Sequence, residues 1–572
     1  MCGIIGGNNL NWNYNEAISL LSHRGPNGHK IQRVKNIFLG FARLAIIDLS
    51  EDAMQPMFSE DGKYAIVFNG EIYDYKRVRD ELRKKGYHFR TESDTEVLLY
   101  AFIEWKEKAM DHIDGIYAFS IFDIEAEALY LFRDRCGIKP LYYYDDHTGG
   151  FAFASELKGI RALCADVNFE IDNTALYDYH TYLYIPEPKT MYKDVYKLPA
   201  AHYLIYNVKK RKISKIARYW KVRLNTKEGN VLTKRQMDEK AEELRYHLDR
   251  AVARQLVADV PVGTFLSGGV DSSIITLITK KYLKSVTGYT IGFPDKRYDE
   301  SVYAKEIADI IHVNCKLKYF TLDDFKKHYR VLLEAYDEPH ADTSIYPTYF
   351  VSKAAKEDVT VVLTGDGGDE LFGGYFRHLF ARDVVEKKKF SNRRISRLYL
   401  GHEKFLERFG KGFKNMCLED IALLSSSYPH RKQPDREKIR KKYHIPRDYD
   451  DFWHFRKYYH KELPVLTRMR YLDFMTYLNG DILTKVDRAS MKASLEARVP
   501  FLDREMIDFA FSLTQEECNP RGELKGLLKY AYQKEIPRRI LDRKKQGFSI
   551  PLSYVRKGNC LQEYLIESFW DL

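Results

Sequence analysis

No stretch of about 18 consecutive apolar residues occurs in this 572-residue chain, so no transmembrane helix is expected. No basic segment followed by an apolar run opens it, so no secretory leader is expected. Cysteine is sparse: Cys2, Cys136, Cys164, Cys315, Cys417, Cys518 and Cys560 are scattered, odd in number and without a CxxC pair. Neither a disulfide framework nor a zinc site follows from that spacing, and a reducing cytoplasm is the expected compartment. Internal repeats, low-complexity tracts and the GxxxxGK[ST] phosphate loop are also missing. The net charge of +11 is concentrated partly in 387–397 and 431–442. No nucleic-acid motif accompanies these basic runs, so they read as solvated faces and no nucleic-acid partner is expected. A positive field also suits an anionic substrate such as ATP.

A chain of this length exceeds the roughly 250–300 residues that one core supports, so two or more domains are expected. With 45% hydrophobic and 30% charged residues it has the composition of a globular protein. Residues 1 to about 205 read as short strands at 37–47, 64–69, 117–123, 128–133 and 151–155, with amphipathic helices at 75–85 and 95–106. That pattern is an α+β domain built on sheets. Within the basic, polar stretch that follows, 209–215 reads as a turn between strands and 225–233 as a linker. A long helix is expected at 235–255, with Leu244, Leu248, Ala251 and Val252 on one face. The second half alternates apolar strands (262–266, 286–291, 360–363) with helices, the signature of a doubly wound parallel α/β sheet. Beyond Gly374 the chain is expected to be mainly helical. The boundaries are therefore 1–208 for the first domain, 209–234 for a linker and 235–572 for the second domain.

The chain opens Met1-Cys2-Gly3-Ile4-Ile5-Gly6-Gly7. Removal of the initiator methionine would give one residue both a thiol nucleophile and a free α-amino group. With a reference pKa of roughly 8, that amine can exchange a proton near neutral pH, so no separate histidine base is required.

Two loops carry the second concentration of chemistry. Strand 262–266 runs into Ser267-Gly268-Gly269-Val270-Asp271-Ser272-Ser273 and then a helix. Glycines allow a tight turn close to a ligand, and the helix start offers free N–H groups and a positive dipole end to an anion. Asp271 adds negative charge to a phosphate site, which makes sense if Mg²⁺ bridges it to the phosphates. After another strand comes Thr364-Gly365-Asp366-Gly367-Gly368-Asp369-Glu370, with three carboxylates in five residues. Such density calls for cations or a substrate ammonium. The C-terminal ends of parallel strands converge on one crevice, so Asp271 and Asp369 are expected to face one Mg²⁺–phosphate group.

Together these motifs resemble a known family. Cys2-Gly3-Ile4, His23-Arg24-Gly25-Pro26, Arg43-Leu44-Ala45-Ile46-Ile47-Asp48, Phe68-Asn69-Gly70-Glu71-Ile72-Tyr73 and Ser93-Asp94-Thr95-Glu96 resemble the glutaminase domain of class II glutamine amidotransferases. The two glycine-rich loops, Val486-Asp487-Arg488-Ala489-Ser490-Met491 and Glu496-Ala497-Arg498-Val499-Pro500-Phe501-Leu502-Asp503 resemble the synthetase domain of glutamine-dependent asparagine synthetases. The resemblance covers nearly the whole chain. It implies an N-terminal-nucleophile hydrolase sandwich joined to an adenine nucleotide alpha hydrolase-like, pyrophosphatase-type α/β domain with a helical C-terminal part.

Carried over by position, the resemblance makes Cys2 the nucleophile on glutamine and Asn69 and Gly70 the oxyanion donors. Arg43, Glu71 and Asp94 would hold the glutamine head group, with Leu44, Ala45, Ile46 and Ile47 beside them. Leu266, Ser267, Gly268, Gly269, Asp271, Ser272, Ile291, Thr364 and Gly365 would bind ATP, and Asp271 and Asp369 would take Mg²⁺. Asp366 and a lysine of Arg543-Lys544-Lys545-Gln546-Gly547-Phe548, Lys545 before Lys544, would serve adenylation. The implied enzyme is an ATP-dependent carbon–nitrogen ligase using glutamine as nitrogen donor, acting as a homodimer.

The acceptor carries two readings. Aspartate, giving asparagine, is the first. Family members that use aspartate often have Glu where this chain has Asp366. The segment Asp337-Glu338-Pro339-His340-Ala341-Asp342-Thr343-Ser344 also resembles relatives associated with bacterial surface polysaccharides. The second reading is therefore the same chemistry on a sugar uronic acid.

Overall fold

The computed structural model describes residues 2–379, 436–543 and 550. Its N-terminal part is built on two six-stranded antiparallel sheets. In the first, strand Gly3–Gly7 lies between Ile37–Ala42 and Phe151–Ala154. In the second, Tyr64–Ile72 lies between Met57–Phe58 and Gly115–Asp123. Successive side chains of a strand point to opposite faces, and Gly3–Gly7 shows this directly. Ile4 joins the core shared with Phe68, Phe119 and Phe132 of the second sheet. Its neighbour Ile5 packs outward with Ala17, Ile18, Leu157 and Ile160 of helices Tyr14–Ser19 and Leu157–Leu163. Helices Tyr75–Lys84 and Asp94–Trp105 add Val78, Leu82, Val97 and Leu98 to the second sheet's core. The result is a sandwich of two sheets between helices, as the resemblance implied.

The expected linker at 209–234 needs correction at its start. Strand Lys212–Arg218 pairs antiparallel with His202–Asn207 and extends the second sheet to Arg218. The register shifts between Ile205 and Tyr206, so Ser214 is an extra residue on the outer strand. This bulge breaks the two-residue alternation by which a strand is read, and the mostly exposed edge reads as basic and polar.

The second domain holds a five-stranded parallel sheet. Its spatial order is Asn314–Tyr319, Thr287–Gly292, Val262–Phe265, Val361–Leu363, Glu496–Arg498. Strand order reverses between Val262–Phe265 and Val361–Leu363, and their C-terminal ends flank the crevice where such sheets bind ligands. Helix Lys234–Gln255 starts at a Thr233–Gln236 capping box and buries Leu244, Leu248, Ala251 and Val252. Beyond Gly374 the described chain is mainly helical, but Glu496–Arg498 adds the fifth strand. Three residues are too few for a strand pattern to show in sequence. Helix Val465–Asp473 continues through a π-helical segment, Phe474–Leu483, into helix Thr484–Lys492. Among the described residues no helix is long and apolar enough to cross a membrane.

Candidate active site

Cys2 stands at the head of the central strand of the first sheet and is 8% exposed. Hydrogen bonds fix it on several sides. Its N–H donates to Asn69 Oδ1 at 2.9 Å. The Leu44 N–H donates to its Sγ at 3.4 Å. Arg24 Nε donates to its carbonyl at 3.1 Å. Burial pushes the thiol pKa up, against the Leu44 contact.

Cys2 opens onto a cavity of about 30 Å³ lined also by Arg43, Leu44, Ala45, Ile46, Ile47, Gly70, Glu71 and Asp94. The structure thus brings these sequence-derived glutamine-site residues together. Asn69 Nδ2 is buried and has no hydrogen-bond partner among the described residues, leaving a donor beside Cys2. Gly70 has φ +156°, and a Cβ there would lie 2.0 Å from the Ile116 carbonyl oxygen, so glycine alone fits this close strand crossing.

Arg43 Nη2 donates to the Asp48 carbonyl at 2.6 Å. Ser93 caps the helix that starts at Asp94, because its side chain accepts from the Thr95 N–H. Asp94 Oδ2 instead accepts from the Ile72 N–H at 2.9 Å. Burial lifts the Asp94 pKa to about 6 in spite of that bond. Burial, with Glu496 and Asp94 nearby, raises Glu71 as well.

The other residue of this cluster comes from the second domain. Arg498 Nε donates to Glu496 Oε1 at 2.6 Å, and its Nη2 lies 3.9 Å from Glu71 Oε2. A second buried network joins the domains through Arg24, which forks onto Asp487 at 2.8 and 3.1 Å and also meets Glu156 at 2.8 Å. Arg488 pairs with the same Glu156 at 3.0 Å, and Lys158 bridges Glu156 and Asp337 at 2.9 and 3.1 Å. The His23-Arg24-Gly25-Pro26 and Val486-Asp487-Arg488 motifs, more than 450 residues apart, therefore meet as one bidentate ion pair.

The second site is a cleft of about 770 Å³ at the reversal point of the parallel sheet. Leu266, Ser267, Gly269, Asp271, Ser272, Ile291, Thr364, Gly365, Asp366 and Asp369 all line it. Gly268 does not line it. With φ +72°, it makes the turn, and a Cβ there would lie 2.6 Å from the Tyr303 backbone. The Ser267 and Ser272 hydroxyls lie 3.0 Å apart at the start of helix Val270–Tyr282. Thr364 Oγ1 donates to Asp366 Oδ2 at 2.8 Å.

Sequence reasoning missed Lys525. Its Nζ contacts Asp271 and lies 2.7 Å from Asp369 Oδ1. Burial opposes the ammonium, but the two carboxylates outweigh it and hold its pKa above the ordinary lysine range. One ammonium thus shows that the two acidic loops converge. Lys525 sits in no recognisable motif, and only a cation ahead of the apolar run Leu527-Leu528 distinguishes it. Lys544 and Lys545 lie outside the described residues.

Comparison with known proteins agrees with both halves. Residues 1–220 match the family model of the glutamine amidotransferase domain, and 243–571 match that of asparagine synthase. A Bacillus subtilis protein named asparagine synthetase [glutamine-hydrolyzing] 1 is 34% identical over 552 residues, covering 94% of this chain and 84% of that one. A putative glutamine-hydrolysing asparagine synthetase of Mycobacterium bovis is 32% identical over 571 residues, covering 96% and 85%. Asparagine synthetase B of Escherichia coli K12 is 30% identical over 404 residues, covering 67% and 65%. With a glutaminase-type sandwich ahead of a matching synthetase domain, the chain belongs to the asparagine synthase family.

Proposed function

We propose that this chain takes ammonia from glutamine at Cys2 and uses it, with ATP, to convert a carboxylate into an amide, aspartate to asparagine being the first reading. The observation that carries it is the pairing of two sites in one fold. A buried cysteine faces Asn69, Arg43 and Asp94, and an ion-paired interface joins its domain to a cleft lined by both acidic loops.

In the glutaminase step the Cys2 thiolate attacks the side-chain amide carbon of glutamine. Asn69 Nδ2 and the Gly70 N–H would stabilise the oxyanion, a type of contact worth ~3–4 kcal/mol. Arg43 would take the α-carboxylate and Asp94 with Glu71 the α-ammonium. Collapse of the adduct releases ammonia, and water then hydrolyses the thioester to glutamate. Removal of Met1 is part of the proposal, because it makes the Cys2 nitrogen the amine that carries the proton.

In the synthetase step a carboxylate oxygen of the acceptor attacks the α-phosphorus of ATP and pyrophosphate leaves. Ammonia attacks the mixed anhydride, AMP leaves, and one proton is released as the amide forms. Asp271 and Asp369 are close enough to share one ammonium, which fits the two carboxylates that Mg²⁺ usually takes beside substrate phosphates. Bound there, Mg²⁺ would offset charge on pyrophosphate, and Lys525 adds a cation from the protein. Asp366 and Lys545 complete the proposed adenylation set. Ammonium is useless as a nucleophile, so delivery between the domains has to keep the nitrogen neutral and away from water.

Asp366 keeps the second reading open, because it is one methylene shorter than the glutamate often found in aspartate-using members. A uronic acid would take the aspartate's place in the same steps. Incubation of the purified protein with glutamine, ATP and either L-aspartate or a uronic acid decides between them. Asparagine with AMP supports the first reading, and an amidated sugar with AMP the second. AMP from neither overturns both. The proposal includes a cytoplasmic homodimer, which fractionation and sedimentation check.

A further inference from the structure

One cation of the cleft has no counterpart among the described residues. Lys485 lines the cleft from helix Thr484–Lys492 and is 6% exposed. Among the described residues its ammonium makes no hydrogen bond and no ion pair. The other described cations of the cleft are engaged. Lys525 holds Asp271 and Asp369, Arg543 lies 2.7 Å from Glu300, and Lys529 lies 3.9 Å from Asp542. Asp481, one turn before Lys485, feels its charge, but that carboxylate already accepts His340 Nε2 at 2.7 Å. A mostly desolvated ammonium without a close partner is unfavourable unless a ligand supplies the anion.

The same cleft also carries the opposite charge. Asp342 lines the same cleft just before helix Ile345–Lys356, which packs on helix Thr484–Lys492. Its Oδ1 accepts the Ser344 N–H at 2.8 Å, and no described cation pairs with it. Lys485 and Asp342 thus present an ammonium and a carboxylate that do not neutralise each other. Space between such a pair complements a zwitterion, whose carboxylate meets the lysine and whose ammonium meets the aspartate.

We infer that Lys485 and Asp342 clamp the α-amino acid head of the acceptor, Lys485 on its α-carboxylate and Asp342 on its α-ammonium. The side-chain carboxylate is left to reach the α-phosphorus. The inference rests on the adenylating reading of the cleft and narrows its acceptor to an amino acid. A sugar acid has no ammonium for Asp342. ATP phosphates are the alternative anion for Lys485, and the test separates the two sources.

The test measures AMP formation with ammonia as nitrogen donor, using L-aspartate, 3-aminopropanoate (aspartate without its α-carboxylate), succinate (aspartate without its ammonium) and D-glucuronate. In K485M the KM for aspartate rises about 10- to 100-fold while the KM for ATP stays within about twofold. The same substitution leaves the response to 3-aminopropanoate unchanged. In D342N aspartate weakens by a similar factor and succinate does not. An ATP KM that rises with an unchanged aspartate KM overturns the clamp and makes Lys485 a phosphate ligand. Unchanged values for both overturn it outright. Wild-type turnover of glucuronate but not aspartate overturns the clamp and leaves ATP-dependent amidation standing. No AMP from any acceptor overturns the adenylating reading as well. Glutamate release from glutamine reports whether K485M has folded. If it has not, D342N carries the comparison.

Discussion

The Cys2 pocket and the cleft at the end of the parallel sheet solve opposite problems. The Cys2 cavity is about 30 Å³, with room for one or two waters, and the second cleft is about 770 Å³. Around Cys2 charges already meet across the domain boundary, as Arg24 with Asp487 and Arg498 with Glu71 show. In the cleft, Lys485 and Asp342 form no ion pair among the described residues. A pre-set environment suits a site that performs one reaction on one small amide. An open cleft with unmatched charges suits a site that must bind a nucleotide and a separate acceptor together. Substitutions near Cys2 are therefore expected to damage chemistry, and substitutions in the cleft to damage binding of one substrate at a time.

The largest effect separates the two sites completely. Cys2→Ala is expected to abolish glutamate release and glutamine-dependent synthesis, by about a thousandfold or more, while synthesis from added ammonia continues. Equal glutamate release by wild type and variant would remove Cys2 from the reaction. Asn69→Ala tests the free amide donor. Glutaminase kcat should fall by about 10²–10³-fold, with the ATP KM unmoved. A change confined to the glutamine KM would make Asn69 a binding residue rather than an oxyanion donor.

Asp487→Asn strikes the join between the sites. Removing one partner of a buried ion pair costs about 3–5 kcal/mol. Thermal unfolding should therefore shift down, and both half-reactions should fall together. Loss of one half-reaction alone would show that the pair serves one pocket only.

The smallest effect is a pH limb. Asp94 has its pKa raised to about 6, so it is neutral below that pH and a carboxylate above it. Only the carboxylate pairs with the ammonium of glutamine. The glutamine KM should rise as pH falls through about 6, approaching tenfold per unit well below it, and the ATP KM should lack this limb. A glutamine KM flat from pH 7 to 5 would contradict the role given to Asp94.

The same contrast governs what could be read without a structure. Ser267–Ser273 and Thr364–Glu370 are contiguous loops between a strand and a helix, so both their chemistry and their context are legible locally. Resemblance supplied Arg43, Asn69 and Asp94, and the fold brings these three short strings around one sulfur. Lys485 and Lys525 are single lysines in helical surroundings, indistinguishable in sequence from solvent-facing ones. Only burial and the partners of neighbouring charges set them apart. Strand Glu496–Arg498 is too short to announce itself, and the bulge at Ser214 hides the edge strand behind a basic stretch. The Arg24–Asp487 pair shows the same limit at long range: each motif is visible, but their meeting is a property of the fold.

The central claim is that nitrogen released at Cys2 ends in a product made in the cleft. The most direct measurement follows glutamine labelled with ¹⁵N in its side-chain amide, in the presence of ATP and L-aspartate. The account predicts ¹⁵N in the side-chain amide of asparagine, with AMP formed in equal amount. Glutamate and labelled ammonia accumulating without labelled asparagine, or ADP in place of AMP, would contradict it.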